Sequence, residues 1–359
     1  MMIDHRLGSA KATLRPLFPM RNSPCPALGG HIIPLDALLV AGWKRHQIEQ
    51  AIRKIVRNVH FEFLEKECAF RLLGPDMYYH ALDPHLPAAL ARFDPPVALD
   101  DILSYRSLGD LFDLCLEDSW SGWLIAEKLR RARQTDDLVI IHLDDHTDMM
   151  STLLEYTDAG ELIEPSTLRQ FNPAEPTAWE TAILCGSVGI GCFVTPFYFG
   201  NWQTHVRHLS NAAATTTAAR SRGVLKKRYS YDLIPKKGFA AICLGDLDDA
   251  ASVGSYVLSS HCEELLATLP RGRVIVHVDL DYFINDFNGN PRDGTYVFPP
   301  ALLEEARRKV DRFFEVLHAR RVKVDHWIIG TSPGFCSGCH WASLLKIFTE
   351  KIHGYRKAR

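Results

Sequence analysis

The sequence predicts an α/β fold in which a mostly parallel sheet lies between two layers of helices, with a helical extension at the N-terminus. Two observations lead to this prediction. Short, continuously apolar runs recur through the chain, as expected for strands that are covered on both faces. Stretches with helical periodicity separate several of these runs and are long enough to connect parallel strands.

The first 105 residues are predicted to be an extension of a main domain that spans residues 106–359. Prolines and glycines in the first thirty residues disfavour regular structure. From residue 35 to about residue 72, amphipathic patterns predict helix, with Ile48, Ile52 and Val56 on one face at helical spacing.

The predicted strands of the main domain are the apolar runs at residues 138–143, 182–194, 239–244, 274–278 and 327–329. Helical periodicity covers residues 108–133, 259–267 and 299–318, and the last two stretches are predicted crossover helices. Between residues 210 and 237 Ala, Thr, Arg and Lys predominate, which is typical of an exposed loop. That loop either folds over a substrate or is a solvated surface excursion.

Composition excludes several classes of protein. The chain has 359 residues, 47% of them hydrophobic, and a formal net charge of -2, which gives no global field to attract nucleic acid or an anionic membrane. No apolar run approaches the roughly 20 residues of a membrane helix, and the N-terminus lacks a signal-peptide core. We therefore expect a cytoplasmic protein, with a homo-oligomer possible. Nine scattered cysteines predict reduced, mostly buried thiols.

The densest group of polar residues follows the apolar run at residues 138–143. Alternate side chains of an extended segment point the same way, so Asp144, His146 and Asp148 can converge beyond the carboxyl end of a strand. Asp279 and Asp281 follow the run at residues 274–278 with the same spacing. Sites in open parallel sheets form at this edge, so the two segments would meet if their strands are near neighbours.

Crowded carboxylates repel one another unless cations neutralise them, which predicts a divalent metal site. Oxygen ligands with one imidazole favour Mn²⁺ or Fe²⁺ over structural zinc, and a pair of ions could activate a shared water. The alternative is that these aspartates cap helices and turns. His142 and His277 each precede the first acid of a segment by two residues, and we interpret them as core residues or as groups that support the ligands.

The two segments resemble those of the arginase and ureohydrolase superfamily, whose members bind two Mn²⁺ ions through Asp-x-His-x-Asp and Asp-x-Asp sequences. Asp281-Tyr282-Phe283, Thr331-Ser332-Pro333-Gly334 and the glycines between Gly186 and Gly191 resemble a divergent branch that includes the peptide arginases. The resemblance covers about residues 118–334. It implies an arginase-like fold, two Mn²⁺ ions, and conversion of arginine in a ribosomally made precursor peptide to ornithine with release of urea.

The resemblance also implies roles for individual residues. Arginases take one further metal-binding His from an upstream loop, whereas no His lies between His85 and His142 in this chain, and Asp118 is the candidate replacement. By analogy, Asp148 would orient the attacking hydroxide, and His205 or His208 would protonate the departing amine.

Arginases also hold the guanidinium with a carboxylate near the last strand, where this chain has Gly330 and Thr331. Asp286 and Glu155 are the candidates for that role, and Thr331 and Ser332 are candidates for further substrate contacts.

Two other functions stay open: a metal-dependent amidohydrolase or deacetylase, for which one zinc ion would be expected, and a non-catalytic peptide-binding protein with a structural metal. The N-terminal region could bind a leader peptide or cover the site.

Overall fold

The computed structural model describes residues 15–16, 32–56, 59–76, 78–130, 136–211, 220–235, 237–291 and 298–358. The strands are β1 (Arg15–Pro16), β2 (Ile33–Pro34), β3 (Val59–Leu64), β4 (Ala69–Pro75), β5 (Arg106–Leu108), β6 (Asp113–Cys115), β7 (Leu138–Leu143), β8 (Glu155–Tyr156), β9 (Leu162–Glu164), β10 (Arg169–Gln170), β11 (Thr204–Leu209), β12 (Arg220–Tyr229), β13 (Phe239–Gly245), β14 (Gly254–Ser259), β15 (Arg273–Asp279) and β16 (His326–Gly330). The α-helices are α1 (Arg45–Ile55), α2 (Leu86–Leu90), α3 (Trp120–Arg130), α4 (Pro176–Cys185), α5 (Cys262–Leu265), α6 (Ala301–Ala319) and α7 (Gly338–Lys357). Short 3₁₀ helices lie at Tyr78–Leu82, Leu99–Ser104, Thr195–Phe199 and Leu280–Tyr282.

Most of the strands belong to one mixed sheet with the order β1-β5-β6-β16-β15-β7-β11-β14-β12-β13-β8-β9-β10. The central strands β6, β16, β15, β7, β11 and β14 are parallel to one another. Antiparallel strands flank them on both sides. The α/β class is therefore confirmed, whereas the sheet is parallel only at its centre.

The central strands are buried on both faces, as their sequences predict. Along β7, Val139, Ile141 and Leu143 join one apolar cluster with residues of α6 and α7. Leu138 and Ile140 join a second cluster with residues of α3 and α4 on the opposite face. Helices thus cover both sides of the parallel strands, giving the predicted three layers.

The N-terminal region is less helical than predicted. Helix α1 forms with Ile48 and Ile52 buried, but residues 59–75 form the hairpin β3-β4, which pairs with β2 in a separate three-stranded sheet. In β3 buried and exposed side chains alternate, and this period of two is that of a strand. Apolar residues of this region share a cluster with Leu153 and Phe239, so the region packs directly on the main sheet.

Several apolar runs became the predicted elements, and others did not. The runs at 138–143, 274–278 and 327–329 form β7, β15 and β16, and residues 299–318 closely match α6. The run at 239–244 forms β13, but it pairs antiparallel. The predicted crossover helix at 259–267 is limited to α5, and within residues 108–133 the helix is α3.

Two predictions were wrong about the type of structure. The run at 182–194 is not a strand: it begins as the end of α4, which stops at Gly186 in a left-handed conformation (φ 78°) that glycine adopts without strain. Residues 220–229, predicted as loop, form β12 between β13 and β14. The part of that predicted loop at 212–219, like the N-terminal arm apart from β1, lies outside the described residues.

The cysteines are not all reduced. Seven of the described cysteines are free, but Cys185 is disulfide-bonded, which corrects the prediction. Among the described residues, none of the helices combines the length and the apolar composition that crossing a lipid bilayer requires.

The packing of α3 on α4 gives a test of the fold. A Cβ added at Gly122 would lie 2.1 Å from Cζ3 of the buried Trp179. We expect Gly122→Ala to lower the free energy of unfolding by about 1–3 kcal/mol through overpacking. Gly354 is the matched control, because it is an exposed helical glycine with nothing within 4 Å of an added Cβ.

Gly354→Ala should leave stability unchanged or raise it by up to about 1 kcal/mol. Urea unfolding of both variants measures the difference, and equal midpoints would contradict the described α3–α4 packing.

Candidate metal centre

The register of three parallel strands aligns three histidines. His277 of β15 pairs with His142 of β7, and His142 pairs with His208 of β11. All three side chains are buried. Just beyond them, β7 leads into Asp144 and β15 ends at Asp279. The predicted meeting of the two acidic segments is therefore correct, because their strands are direct neighbours.

Each segment turns sharply after its first acid. Asp144 Oδ1 accepts a hydrogen bond from the His146 backbone N–H at 2.5 Å, and Asp279 Oδ1 accepts one from the Asp281 N–H at 3.0 Å. The turns bring His146 Nδ1 to 2.9 Å from Asp281 Oδ2 and so join the segments. The carboxylates are buried, whereas the His146 side chain is 40% exposed. His146 therefore marks the open side of the cluster.

Asp118 reaches the cluster from a different element, the turn that precedes α3. Its Oδ1 lies 3.0 Å from His277 Nε2 and accepts a hydrogen bond from Ser121 Oγ at 3.1 Å. A Cβ at Gly330 would lie 2.3 Å from this oxygen, so the glycine at the end of β16 makes room for the carboxylate. The Asp118 carboxylate thus occupies the space beside Gly330 at the end of β16.

Asp148 sits in a strained conformation. Its φ of 49° is uncommon for a residue other than glycine, and its carbonyl accepts a hydrogen bond from the Val194 N–H at 3.0 Å. Backbone strain of this kind concentrates at functional sites, because the surrounding structure must hold it in place. Here it turns a buried carboxylate towards Asp144 and Asp118.

The candidate ligands form overlapping groups whose ligand atoms lie within 4.8 Å of one another. The groups are Asp118, Asp144 and Asp148; Asp144, His146 and Asp281; and His142, Asp144 and His277. Asp144 belongs to every one of them. Asp279 is outside these groups, but its carboxylate interacts electrostatically with Asp144, Asp118 and Asp281.

Several buried atoms of the cluster have no hydrogen-bond partner among the described residues. They are Asp118 Oδ2, Asp144 Oδ2 and His142 Nε2. A buried polar atom without a partner is costly, and several carboxylate oxygens facing one another are more so. A divalent cation would satisfy them together, and a set of carboxylates with imidazole suits such an ion. The residues present therefore fit a metal ion.

The protonation of the cluster reflects its crowding. Burial, followed by repulsion from Asp144, raises the pKa of Asp281 to about 7 despite the nearby His146. Burial and neighbouring carboxylates also raise the pKa values of Asp148 and Asp279 well above the usual range. Asp144 behaves oppositely: burial alone would raise its pKa, but His142 and the bonds from His146 and Asp148 lower it. Asp148, Asp279 and Asp281 therefore take up protons more readily than Asp144 does.

The two predicted proton donors lie in different places. His208 is next to the cluster, with Nε2 3.0 Å from the Asp144 carbonyl oxygen and Nδ1 2.8 Å from the Tyr256 hydroxyl. His205 is on β11, three residues before His208 and therefore about 10 Å away along the strand. Its Nδ1 contacts Ser255 Oγ at 2.9 Å at the amino end of the sheet. The structure thus separates His205 from the cluster.

The predicted substrate contacts are engaged elsewhere. Asp286 is buried, accepts the Ser337 N–H at 2.9 Å and lies 3.2 Å from His340 Nε2. Glu155 lies on β8 and contacts Lys237 Nζ at 2.5 Å. Both carboxylates are therefore bonded to groups outside the cluster of candidate ligands.

Thr331 and Ser332 lie close to the cluster, at the exit from β16. The Thr331 N–H donates to the Cys115 carbonyl at 3.2 Å, and its hydroxyl donates to the Leu116 carbonyl at 3.2 Å. Ser332 is buried with a φ of 52°, a second strained residue at this edge of the sheet. Both therefore shape the loop beside Asp118.

Glu117 was not predicted from the sequence, and His142 and His277, interpreted as core residues or as groups that support the ligands, lie within one candidate ligand group with Asp144. Glu117 is a buried carboxylate beside Asp118, held by the Ser119 hydroxyl, and burial raises its pKa to about 7. It does not belong to either strand-end motif, so no spacing marked it. His142 could have been recognised, because the alternation of a strand directs it to the same face as Asp144.

Comparisons with known proteins give no family for this chain. No protein-family model matches the sequence, and no curated protein matches it significantly. The fold and the cluster therefore define an α/β protein with a candidate metal centre at the carboxyl edge of its parallel strands.

Binding of Mn²⁺ should release protons. The pKa of Asp281 is raised to about 7, and hydrogen bonds to Asp144 and Asp281 raise that of His146 to about 10, so both hold protons at mildly acidic pH that ligation must displace. We expect the affinity for Mn²⁺ to rise between about pH 6 and pH 8, on the order of tenfold per unit for each proton released.

Isothermal titration calorimetry in buffers with different ionisation enthalpies counts these protons. Asp281→Asn should release fewer protons and bind more weakly. Asp145→Asn, in the other segment but outside the ligand groups, should change both values much less, because Asp145 is the weakest named cause of the raised pKa of Asp281. A proton count of zero below neutral pH would contradict this account.

Proposed function

We propose that the protein is a binuclear manganese-dependent hydrolase of the arginase type, which converts arginine within a precursor peptide to ornithine and urea. The observation that carries the proposal is the cluster in which Asp144, His146 and Asp281 from two adjacent strand ends meet, with buried carboxylate oxygens that lack partners. These residues belong to the two segments that resemble the arginase ligands.

Two ions, rather than one, are favoured by the grouping of the ligands. One group contains Asp118 and Asp148, the other His146 and Asp281, and the two share Asp144. Asp144 would therefore help to hold both ions, and Asp279, the last residue of β15, would be a further candidate ligand. When bound, two such ions supply a nucleophilic hydroxide at neutral pH and stabilise negative charge in the transition state.

The chain's own residues would orient the reaction. Asp148 is held in place by the structure around its strained backbone, and its carboxylate could accept a proton from an attacking water once bound cations had displaced its own. His208 lies behind Asp144, bonded to its carbonyl and to Tyr256, so it steadies Asp144 rather than facing the open side. Glu117 is the buried carboxylate best suited to pair with a guanidinium, whose positive charge would keep it ionised.

The open side of the cluster supports a substrate presented on a peptide. The Phe335 ring packs edge-on against His146 with ring centres 4.9 Å apart, and Tyr79 packs on Phe335 at 5.1 Å. Tyr78, which precedes Tyr79, is 58% exposed, and Met150, two residues after Asp148, is 47% exposed. Aromatic rings can stack on the planar guanidinium and on peptide side chains.

The test is an assay of the Mn²⁺-loaded protein with an arginine-containing peptide. We expect a mass loss of about 42 Da per modified arginine, with an equal amount of urea, as two-metal hydrolysis of the guanidino group requires. Asp144→Asn should reduce the rate by more than about a hundredfold, since even residues that only support metal ligands cost about 10- to 100-fold.

Asp145→Asn is the matched control, because Asp145 is next to Asp144 but bonds Asn211 rather than joining the ligand groups. It should keep most of the activity. Release of acetate from an acetylated substrate, with one metal ion per chain, would instead support a deacetylase. Bound metal without any product would leave the peptide-binding alternative, and a chain that binds no metal would refute the proposal.

A further inference from the structure

His142 presents an unpaired nitrogen to the acidic cluster. Its side chain is fully buried, and Nε2 has no hydrogen-bond partner among the described residues. This nitrogen lies 3.5 Å from Asp144 Oδ2 and 3.8 Å from Asp148 Oδ2. Asp144 Oδ2 is also buried without a partner. Two buried polar atoms without partners therefore face each other at a distance too long for a direct hydrogen bond.

The other nitrogen of His142 belongs to a chain of hydrogen bonds that fixes the ring. His142 Nδ1 lies 2.8 Å from His277 Nδ1, and His277 Nε2 lies 3.0 Å from Asp118 Oδ1. If His277 donates to the carboxylate, its Nδ1 accepts a hydrogen bond from His142 Nδ1. The neutral His142 then has its lone pair on Nε2, directed at the cluster, which is the form in which imidazole binds metal.

The distances from His142 to Asp144 and to Asp148 fit three side chains that bind one metal ion. Bonds from a divalent ion to nitrogen and oxygen ligands are about 2.1 Å, so two ligands of one ion lie roughly 3 to 4 Å apart. The separations of 3.5 and 3.8 Å fall in this range. Ring packing also holds His142 in place, since its centre lies 5.0 Å from that of His277 and 4.9 Å from that of His208.

We propose that His142 is itself a ligand of the ion held by Asp144 and Asp148, and that His277 and Asp118 position it. This inference rests on the metal site of the proposed function but not on its substrate. His142 would supply a further imidazole ligand from β7. No histidine lies between His85 and His142 to supply it from an upstream loop. Asp118 has two roles here, because Oδ1 accepts from His277 while Oδ2 remains available to the ion.

The test uses the full chain loaded with Mn²⁺, with metal content measured directly and bound imidazole detected by pulsed electron paramagnetic resonance. Nitrogen couplings to Mn²⁺ report histidines bonded to the ion. The wild type should show two such imidazoles, His142 and His146. His142→Gln should lose one of them and bind one ion about 10- to 100-fold more weakly, or not at all.

His205→Gln is the matched control, because His205 lies on the neighbouring strand β11 and its Nδ1 contacts Ser255 Oγ away from the cluster. It should keep both couplings. His277→Gln should keep two bound imidazoles but shift the coupling of His142, which a purely structural role would not do.

Two results would overturn the inference: a wild-type spectrum with one imidazole that disappears in His146→Gln, or unchanged couplings in His142→Gln. The wild-type spectrum decides the matter even if a variant fails to fold. Two imidazoles without release of urea would refute the proposed function alone, whereas a chain that binds no Mn²⁺ would refute both.

Discussion

The parallel pairing of β7 with β15 is the contact on which the rest of the site depends. In this register His142 lies opposite His277, and Leu143 lies opposite Val278. The acids that follow each strand consequently leave the sheet side by side. A shift of one residue would turn one histidine to the opposite face and separate the two sets of side chains. The apolar residues that fix this register are therefore as important to the site as its ligands.

The site is energetically unfavourable by itself, and the apolar packing of the helices and strands around it offsets this cost. Buried carboxylates with unpaired oxygens and two residues with positive φ, Asp148 and Ser332, all lie at one edge of the sheet. The apolar clusters on both faces of the central strands hold that edge in position. An arrangement of this kind is stable only if packing elsewhere over-determines it, which is the pattern expected of a functional site. A bound cation would remove much of the electrostatic cost.

The centre of the fold was predictable because its signals were local and strong. Fully apolar runs became β7, β15 and β16, and the Asp-x-His-x-Asp and Asp-x-Asp spacings directed ligands to one edge. The periphery was harder to predict. The hairpin β3-β4 and strand β12 are set by pairing with distant segments, and the apolar run after residue 182 was divided by Gly186 into a helix end and a turn.

Individual contacts of the site depended on tertiary structure in the same way. The sequence suggested Asp118 as a candidate metal ligand, but its contact with His277 required β6, β16 and β15 to be adjacent. His205 and His208 looked equivalent in the sequence, but their separation along β11 places His205 on the opposite face of the sheet and nearer its amino end.

Anomalous diffraction from crystals soaked in Mn²⁺ would test the central claim most directly. The account predicts two manganese peaks at the carboxyl edge of the parallel strands, one beside Asp118 and Asp148, the other beside His146 and Asp281, and both next to Asp144. Peaks only at exposed carboxylates, or none within bonding distance of Asp144, would contradict it.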